Sequence, residues 1–247
     1  MYNQYIYQPI LNLLVWLYQV GGNNLGLAII LLTLIVRGVM IPFVLPSLKS
    51  AAKMAKLKPK LDELKAKYGK DQKALSEAQL KLYKDNGVNP TAGCLPYIVQ
   101  FVFLIALYRV FVDSLKGGVL NGQEVNTIFL WWDLKVKDHT LVLPILAGAL
   151  QLLTSLTILP AVENDPEGRK ELKSGGKEDV AEMAQTMQQQ MVFMMPIMTV
   201  VFALQFPAGL ALYWVITTAF SFVQQIIVSG PGTLGVYLRR LRLGRSK

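Results

Sequence analysis

Long apolar stretches separated by charged segments make up most of this chain. Stretches that begin at Asn24, Thr91 and Leu141 can each cross about 30 Å of hydrocarbon as a helix that rises 1.5 Å per residue. A fourth stretch, from Met183 to Leu238, is too long for one crossing and is broken at residues 206–209. The pattern therefore predicts an all-α integral membrane protein with five transmembrane helices. Their predicted bounds are residues 24–48, 91–112, 140–162, 188–206 and 208–229.

The first 23 residues have the pattern of a helix that lies on the membrane surface. Apolar residues recur at helical spacing from Ile6 to Leu17, and Trp16 and several tyrosines suit the headgroup zone. Residues 1–23 lack the basic start and the small-residue cleavage site of a signal peptide, so we expect them in the mature protein. The same interfacial preference of aromatic rings places Trp131 and Trp132, in the linker 113–139, at the outer face.

Residues 49–90 are rich in lysine, yet their apolar residues keep a helical period. One stripe ends near Gly69 and a second runs from Leu75 to Tyr83, which predicts a cytoplasmic helical hairpin. A soluble spacer with a solvated lysine face and a binding element for a partner protein both fit this pattern. The remaining segments are predicted to be a polar cytoplasmic loop, residues 163–187, and a basic cytoplasmic tail, residues 230–247.

The distribution of basic residues predicts the orientation of the chain. Residues 49–90, the 163–187 loop and the tail together hold 20 lysines and arginines, whereas the segments on the other side hold three. Basic residues near span ends stay in the cytoplasm, so the N-terminus should lie outside and the C-terminus inside. The net charge of +9 is then mainly a topology signal and does not predict a DNA-binding protein. A basic cytoplasmic face also favours anionic lipid or ribosomal RNA.

The composition argues against covalent catalysis. The predicted spans contain no aspartate or glutamate, which argues against an intramembrane aspartyl protease and against a carboxylate proton relay. The chain has one histidine, His139, and one cysteine, Cys94, so it cannot build a multi-ligand His/Cys metal site or an internal disulfide. We expect no enzyme activity, no catalytic residue and no metal or other cofactor.

Arg37 is the single charged residue of the first predicted span. An arginine at mid-bilayer costs roughly 3 kcal/mol on insertion scales, so its side chain should face protein or water. Thr33 lies one helical turn earlier, and Gln100 and Gln151 are polar residues at membrane depth in the second and third spans. These three are candidates to share a watery pocket with Arg37. A purely structural arginine, satisfied by backbone carbonyls or a polar neighbour, is the open alternative.

Several motifs occur in order along the chain and carry a family resemblance. They are Gly22–Thr33 followed by Val36-Arg37, Asn89–Pro96, Met195–Met198, Phe206–Trp214 and Gln224-Gln225. On these residues the chain resembles the YidC/Oxa/Alb family of membrane protein insertases nearly from end to end. We expect no large domain before the first span, so the resemblance is to the short bacterial form without the extracytoplasmic domain.

The resemblance implies a five-helix core around a hydrophilic groove that opens to the cytoplasm and to lipid and is closed outside. Arg37 matches the conserved arginine of the family and would attract acidic residues in the tail of an incoming client protein. Tyr213 and Trp214 match the aromatic pair of the last span, which implies a hydrophobic slide for the client's apolar segment.

The implied partners are newly made membrane proteins and the lipid bilayer of the bacterial inner membrane. The Sec translocon, a targeting receptor and the ribosome are further candidate partners through the lysine-rich hairpin and the tail. Because the basic tail is short, we expect only weak, salt-sensitive contact with ribosomal RNA. Two other functions stay open. An assembly chaperone would use the same groove but would not insert clients by itself. An anion transporter would use Arg37 as its anion site, but this sequence shows no evident inverted repeat and no acidic residues for ion coupling.

Overall fold

The computed structural model describes residues 3–68, 71–88, 95–110, 119–120, 122–158, 194–232 and 234–235. This part of the chain is mostly helical, and a short π-helical segment, Asn3–Tyr7, precedes the first α-helix. The α-helices are α1 Gln8–Val20, α2 Leu25–Lys56, α3 Lys58–Tyr68, α4 Gln72–Asp85, α5 Leu95–Arg109, α6 Val142–Ile158, α7 Met194–Ala203 and α8 Ala208–Ser229. Four two-residue strands, β1 Val119–Leu120, β2 Gln123–Glu124, β3 Ile128–Phe129 and β4 Trp132–Asp133, form two antiparallel ribbons.

Among the described residues, two helices are long and apolar enough to cross a membrane, Leu25–Met54 within α2 and the whole of α8. Only 22% of the apolar window of α2 is buried inside the protein, and Val39 and Phe43 are among its exposed large side chains. The core helix of a soluble protein would bury this surface, so its exposure favours contact with lipid. Shorter apolar helices lie at Gln100–Arg109, Val142–Thr157 and Met194–Ala203. The count of five spans therefore stays a prediction.

The hydrophobic core surrounds the first turns of α2 and α8. Leu25, Ile29, Leu107 and Leu210 are fully buried there, and α8 packs against both α6 and α2. A Cβ at Gly148 of α6 would overlap the Val200 side chain of α7, so these two helices also approach closely. Tight packing is thus concentrated at the ends where α2 and α8 begin.

Helix α1 packs on α2 and leads into it through a tight turn. Leu11, Leu14 and Leu17 of α1 are buried in the common core, whereas Trp16 is exposed. The turn uses positive φ angles at Gly22 and Asn23, a conformation that glycine and asparagine tolerate best. The Asn24 side chain then accepts a hydrogen bond from the Leu27 N–H and caps α2. The interfacial position predicted for residues 1–23 stays a prediction.

Helix α2 continues past the end of the predicted first span. Residues 49–56, which the sequence pattern placed in the lysine-rich hairpin, belong to the same helix as Arg37. Helices α3 and α4 follow and contact each other. The Asp71 carboxylate caps α4 by accepting from the N–H groups of Lys73 and Ala74.

Residues 122–141, which we call the outer segment because the predicted topology places them outside, contact the starts of α2 and α8 and the end of α1. The Val136 and Leu134 carbonyls accept hydrogen bonds from the Ala208 and Gly209 N–H groups at 2.7 and 2.9 Å, at the start of α8. The Asn126 N–H donates to the Tyr18 hydroxyl of α1 at 2.9 Å. A Cβ at Gly26 of α2 would overlap the Phe129 ring. The outer segment therefore covers the end of the bundle where its core is densest.

Several sequence predictions fall outside the described residues. They concern Cys94 and the start of the Asn89–Pro96 motif, the loop 163–187, and the arginines of the tail at 239, 240, 242 and 245.

Candidate functional site

A cavity lies beside Arg37, between helices α2, α5 and α8, and the space within it, together with adjoining open solvent, amounts to about 330 Å³. Its position follows from helical periodicity, since residues three, four and seven apart share a face. Residues of α2 between Thr33 and Val44 form one wall of the cavity, and Tyr213 and Thr217 of α8 form part of another. The lining residues are Thr33, Val36, Arg37, Met40, Val44, Gln100, Phe103, Tyr213 and Thr217, and we call this space the Arg37 cavity.

Arg37 reaches across the Arg37 cavity to two other helices. Its Nη2 donates a short hydrogen bond to Gln100 Oε1 of α5, and its Nε lies 3.4 Å from Thr217 Oγ1 of α8, a long hydrogen bond. Both acceptors are neutral. The guanidinium therefore keeps its full positive charge without a carboxylate among the described residues to balance it.

Gln100 connects the arginine to Tyr213. The amide oxygen of Gln100 accepts from Arg37, and its Nε2 donates to the Tyr213 hydroxyl at 2.5 Å. The Tyr213 ring packs against Phe103 with the ring centroids 5.4 Å apart. One glutamine thus uses both ends of its amide to join α2, α5 and α8 into one polar network.

Thr33 lies in the wall of the Arg37 cavity one turn before Arg37. The threonine is almost completely buried, and its Oγ1 donates to the Ile29 carbonyl at 2.6 Å. A hydroxyl bonded back to the preceding turn satisfies its own proton and still offers oxygen lone pairs. Thr33 therefore adds an acceptor to the wall without adding charge.

The structure brings four of the six predicted site residues together. Arg37, Thr33, Gln100 and Tyr213 all line the Arg37 cavity. Gln151 of α6 is not among the lining residues. Trp214 turns away from the cavity and stacks on Phe202 of α7, with 6.5 Å between the ring centroids. Tyr213, predicted as part of the hydrophobic slide, thus belongs to the same polar network as Arg37.

Sequence reasoning missed Thr217 as a partner of Arg37. Thr217 follows Tyr213 by four residues, so the two lie on one face of α8. That spacing was available as a signal, but a threonine in a span more often bonds to its own helix, as Ser221 and Thr218 do here. Only the packing of α8 on α2 distinguishes Thr217 from its neighbours.

A second polar network is centred on Asp138 in the outer segment. Its Oδ2 accepts from the Leu143 N–H at 2.9 Å at the start of α6, and its Oδ1 accepts from the Trp132 indole at 3.0 Å and from Thr140. Burial alone would raise the pKa of Asp138, but the hydrogen bonds from Thr140, Leu143 and Trp132 outweigh it and hold the pKa below its ordinary value. The carboxylate therefore fastens the outer segment to α6.

Sequence comparisons match this chain to one family and to several named proteins. The family described as the 60Kd inner membrane protein matches residues 16–232. Membrane protein insertase MisCA of Bacillus subtilis (strain 168) is 33% identical over 235 residues, which cover 93% of this chain and 80% of that protein. Membrane protein insertase YidC 2 of Bacillus anthracis is 33% identical over 93% of this chain and 82% of its own length. The YidC insertase of Aeromonas salmonicida (strain A449) is 38% identical over 91% of this chain but only 36% of its own length.

Proposed function

This chain belongs to the 60Kd inner membrane protein family, whose curated relatives are YidC-type membrane protein insertases, and on that premise we propose that it moves short polar tails of client proteins from the cytoplasm into the bilayer. The client is a newly made membrane protein. No bond is made or broken in the client, so the protein acts as an insertase and not as an enzyme.

The observation that carries this proposal is the unbalanced charge of Arg37. The guanidinium lies beside an open cavity and is bonded only to neutral acceptors among the described residues. A structural arginine in a membrane protein usually pairs with a carboxylate or with backbone carbonyls. A positive charge beside open space is instead suited to binding an anionic ligand transiently. We assign that role to acidic residues of the client tail.

Coulomb's law gives the scale of the attraction. Two unit charges 4 Å apart interact by about 4 kcal/mol at an effective dielectric constant of about 20. That gain offsets part of the cost of bringing a charged tail out of bulk water. Water and the polar groups of Thr33, Gln100 and Thr217 would solvate the peptide groups of the tail while it is partly across.

The apolar part of the client needs a separate surface. Phe101, Val102 and Ile105 of α5 are exposed. We assign these exposed faces, together with the partly buried Trp214, to the client's hydrophobic segment, which can leave sideways into lipid. The polar tail and the apolar segment are then held on adjacent faces of the same helices.

Closure of the outer side gives the movement a direction. The outer segment is fastened to the starts of α6 and α8 by backbone hydrogen bonds and by Asp138. A tail can therefore enter the Arg37 cavity from the cytoplasmic end but does not meet a continuous aqueous channel. This argument disfavours the anion transporter, which needs access from both sides.

The remaining partners follow from the family and from charge. We assign the protein to the bacterial inner membrane with its N-terminus outside and its C-terminus in the cytoplasm. The lysine-rich surface of α3 and α4, with Lys60 and Lys81 exposed, is the proposed contact for the Sec translocon, the targeting receptor or the ribosome.

Insertion into liposomes tests the proposal. A single-span client with an acidic N-terminal tail is added to liposomes that contain the purified protein, and protease protection of the tail is measured. We expect protection that empty liposomes do not give. If the tail stays exposed while the protein still prevents aggregation of the client, the chain is an assembly chaperone. Uptake of small anions without tail protection would support the transporter.

A further inference from the structure

The side of α8 that lines the Arg37 cavity continues, with further polar residues, beyond that cavity. At about 100° per residue, Tyr213, Thr217 and Gln224 fall within about 40° of one another around the helix axis. Gln224 lies about 10 Å beyond Thr217, toward the end of α8 that is farther from the outer segment. Ser221 occupies the turn between them, and its hydroxyl donates to the Thr217 carbonyl at 2.9 Å. Polar groups therefore follow one side of α8 for about three turns.

Gln224 differs from its neighbours in its hydrogen bonding. Its amide nitrogen is shielded from the surface, yet it has no acceptor among the residues that the structure describes. The next residue, Gln225, is buried as a whole, whereas Gln224 is only partly buried, and the Gln225 Nε2 donates to Ser229 Oγ at 3.1 Å. A buried donor without an acceptor destabilises a folded protein, so this nitrogen calls for an acceptor other than the described residues.

We propose that Gln224 is a second binding position for the client, where its Nε2 donates a hydrogen bond to a backbone carbonyl of the polar tail. The inference rests on the function proposed above and adds a residue to the same groove. A carbonyl suits this donor because the amide is neutral and every residue of an extended tail presents a carbonyl. Gln224 thus holds the tail whatever its sequence, whereas Arg37 selects acidic residues.

The spacing of the two positions makes the inference quantitative. An extended chain advances about 3.3–3.6 Å per residue, so 10 Å corresponds to about three residues of tail. When an acidic residue reaches Arg37, a carbonyl about three residues nearer the client's hydrophobic segment should reach Gln224. The client therefore meets Gln224 first and Arg37 second on its way from the cytoplasm.

Disulfide crosslinking tests this register. Gln224→Cys, Thr217→Cys and Val223→Cys are each made in a Cys94→Ser background and reconstituted in liposomes. The probe is a single-span client, still attached to the ribosome, with one cysteine placed at successive positions of its tail. Val223 is the control, because it neighbours Gln224 in depth but its side chain is exposed on another face of α8.

We expect the tail to crosslink at 217 and 224, with the best client positions about three residues apart, and to crosslink weakly at 223. Crosslinks at 217 but not at 224, or equal crosslinks at 223 and 224, would overturn the inference and leave the proposed function intact. Crosslinks at neither 217 nor 224 would count against both.

A stability measurement separates binding from a structural role. Replacing an unpaired buried amide by an apolar group of similar size should not lower the melting temperature of the protein, so Gln224→Leu should melt at or above the wild-type temperature. The same variant should reduce insertion about three- to tenfold, for acidic and neutral tails alike. Gln224→Asn, which keeps an amide donor, should recover part of that loss. Insertion at the wild-type level in Gln224→Leu, or a fall in melting temperature in parallel with insertion, would contradict the role.

Discussion

Arg37 is held by side chains from two other helices, and each contact is to a neutral oxygen. A hydrogen bond from a charged donor contributes about 1.5–3 kcal/mol, more than one between neutral groups. Gln100 is the stronger of the two contacts, since the bond from Arg37 to Thr217 is long at 3.4 Å. Gln100 therefore positions the guanidinium and also links it to Tyr213.

Gln100→Leu should destabilise the protein by about 1.5–3 kcal/mol, because the buried side of the guanidinium loses its main acceptor. Thermal unfolding in detergent, followed by tryptophan fluorescence, measures this effect. Gln151→Leu is the matched control, since Gln151 lies outside the Arg37 cavity and should cost much less. Equal losses in the two variants would show that Gln100 has no special relation to Arg37.

Asp138→Asn should lower the free energy needed to open the outer segment by about 1–3 kcal/mol at neutral pH. Both carboxylate oxygens of Asp138 accept hydrogen bonds, from Trp132 and Thr140 on one oxygen and from Leu143 on the other, whereas an asparagine has only one oxygen that can accept. In the wild-type protein the carboxylate stabilises the fold fully above its unfolded pKa, near 3.8, and this contribution is lost as the pH falls through the lower folded pKa. Hydrogen exchange of residues 122–141 between pH 7 and pH 3 measures both effects. Glu124→Gln, exposed in the same segment, should leave the exchange unchanged.

At the scale of single residues, the sequence predicted the charged side chain of Arg37 in the first span and part of its surroundings. Arg37 and Gln100 could be found because a polar side chain in an apolar span must be satisfied by something. Gln151 met the same criterion but does not line the Arg37 cavity, and Thr217 escaped notice. Which polar residue meets which depends on the rotation of each helix about its axis, and rotation is set by packing that one sequence does not display.

At the scale of elements, the outer segment makes several close contacts with the helices. The ribbon of β3 and β4 pairs Ile128 with Asp133 and Phe129 with Trp132, and this places the Phe129 ring on Gly26 at the start of α2. Only a residue without a side chain allows that approach. The glycine is therefore a contact surface for the ribbon.

Gly26→Ala should destabilise the protein by about 1–3 kcal/mol, because the new methyl group overlaps the Phe129 ring and must displace the ribbon. Gly38→Ala in the same helix meets nothing within 4 Å and should be neutral or stabilising. A double-mutant cycle with Phe129→Ala, measured by thermal unfolding, tests the contact. If Phe129→Ala does not relieve the effect of Gly26→Ala, the two residues do not touch in the membrane.

The helical elements were predictable because long apolar runs and helical periodicity leave few alternatives. The end of helix α2 was not predicted, since the apolar run stops near Leu48 while α2 continues to Lys56. A helix can extend from lipid into water when its lysines face solvent. The sequence then changes from apolar to polar at a point where the helix itself does not end. The ribbons were missed because two-residue strands have no readable alternation.

At the scale of the whole molecule, a dense core and a fastened cover lie at one end and the polar face of α8 runs toward the other. The sequence comparisons confirm the family that the motifs suggested. The five spans, the orientation and the client path are proposals that rest on hydropathy, on basic-residue counts and on this asymmetry. Single-sequence patterns locate spans but do not show how five of them are arranged around a cavity.

Cysteine accessibility tests the orientation. Glu124→Cys in the outer segment and Lys81→Cys in α4 are both exposed positions, and each is made in a Cys94→Ser background. In intact right-side-out vesicles a membrane-impermeant maleimide should label position 124 and not position 81. Inverted vesicles should give the opposite pattern. Labelling of both positions from one side would contradict the assigned topology.

The central claim is that the positive charge of Arg37 receives the client tail, and one comparison tests it most directly. Wild type, Arg37→Lys and Arg37→Ala are reconstituted at equal folded amounts, and protease protection is measured for two clients that differ only in an acidic or a neutral tail. We predict that Arg37→Ala lowers insertion of the acidic tail about tenfold, equivalent to about 1.4 kcal/mol, while Arg37→Lys retains most of it and the neutral tail changes little. Wild-type insertion of the acidic tail by Arg37→Ala, or an equal fall for both tails, would contradict the claim.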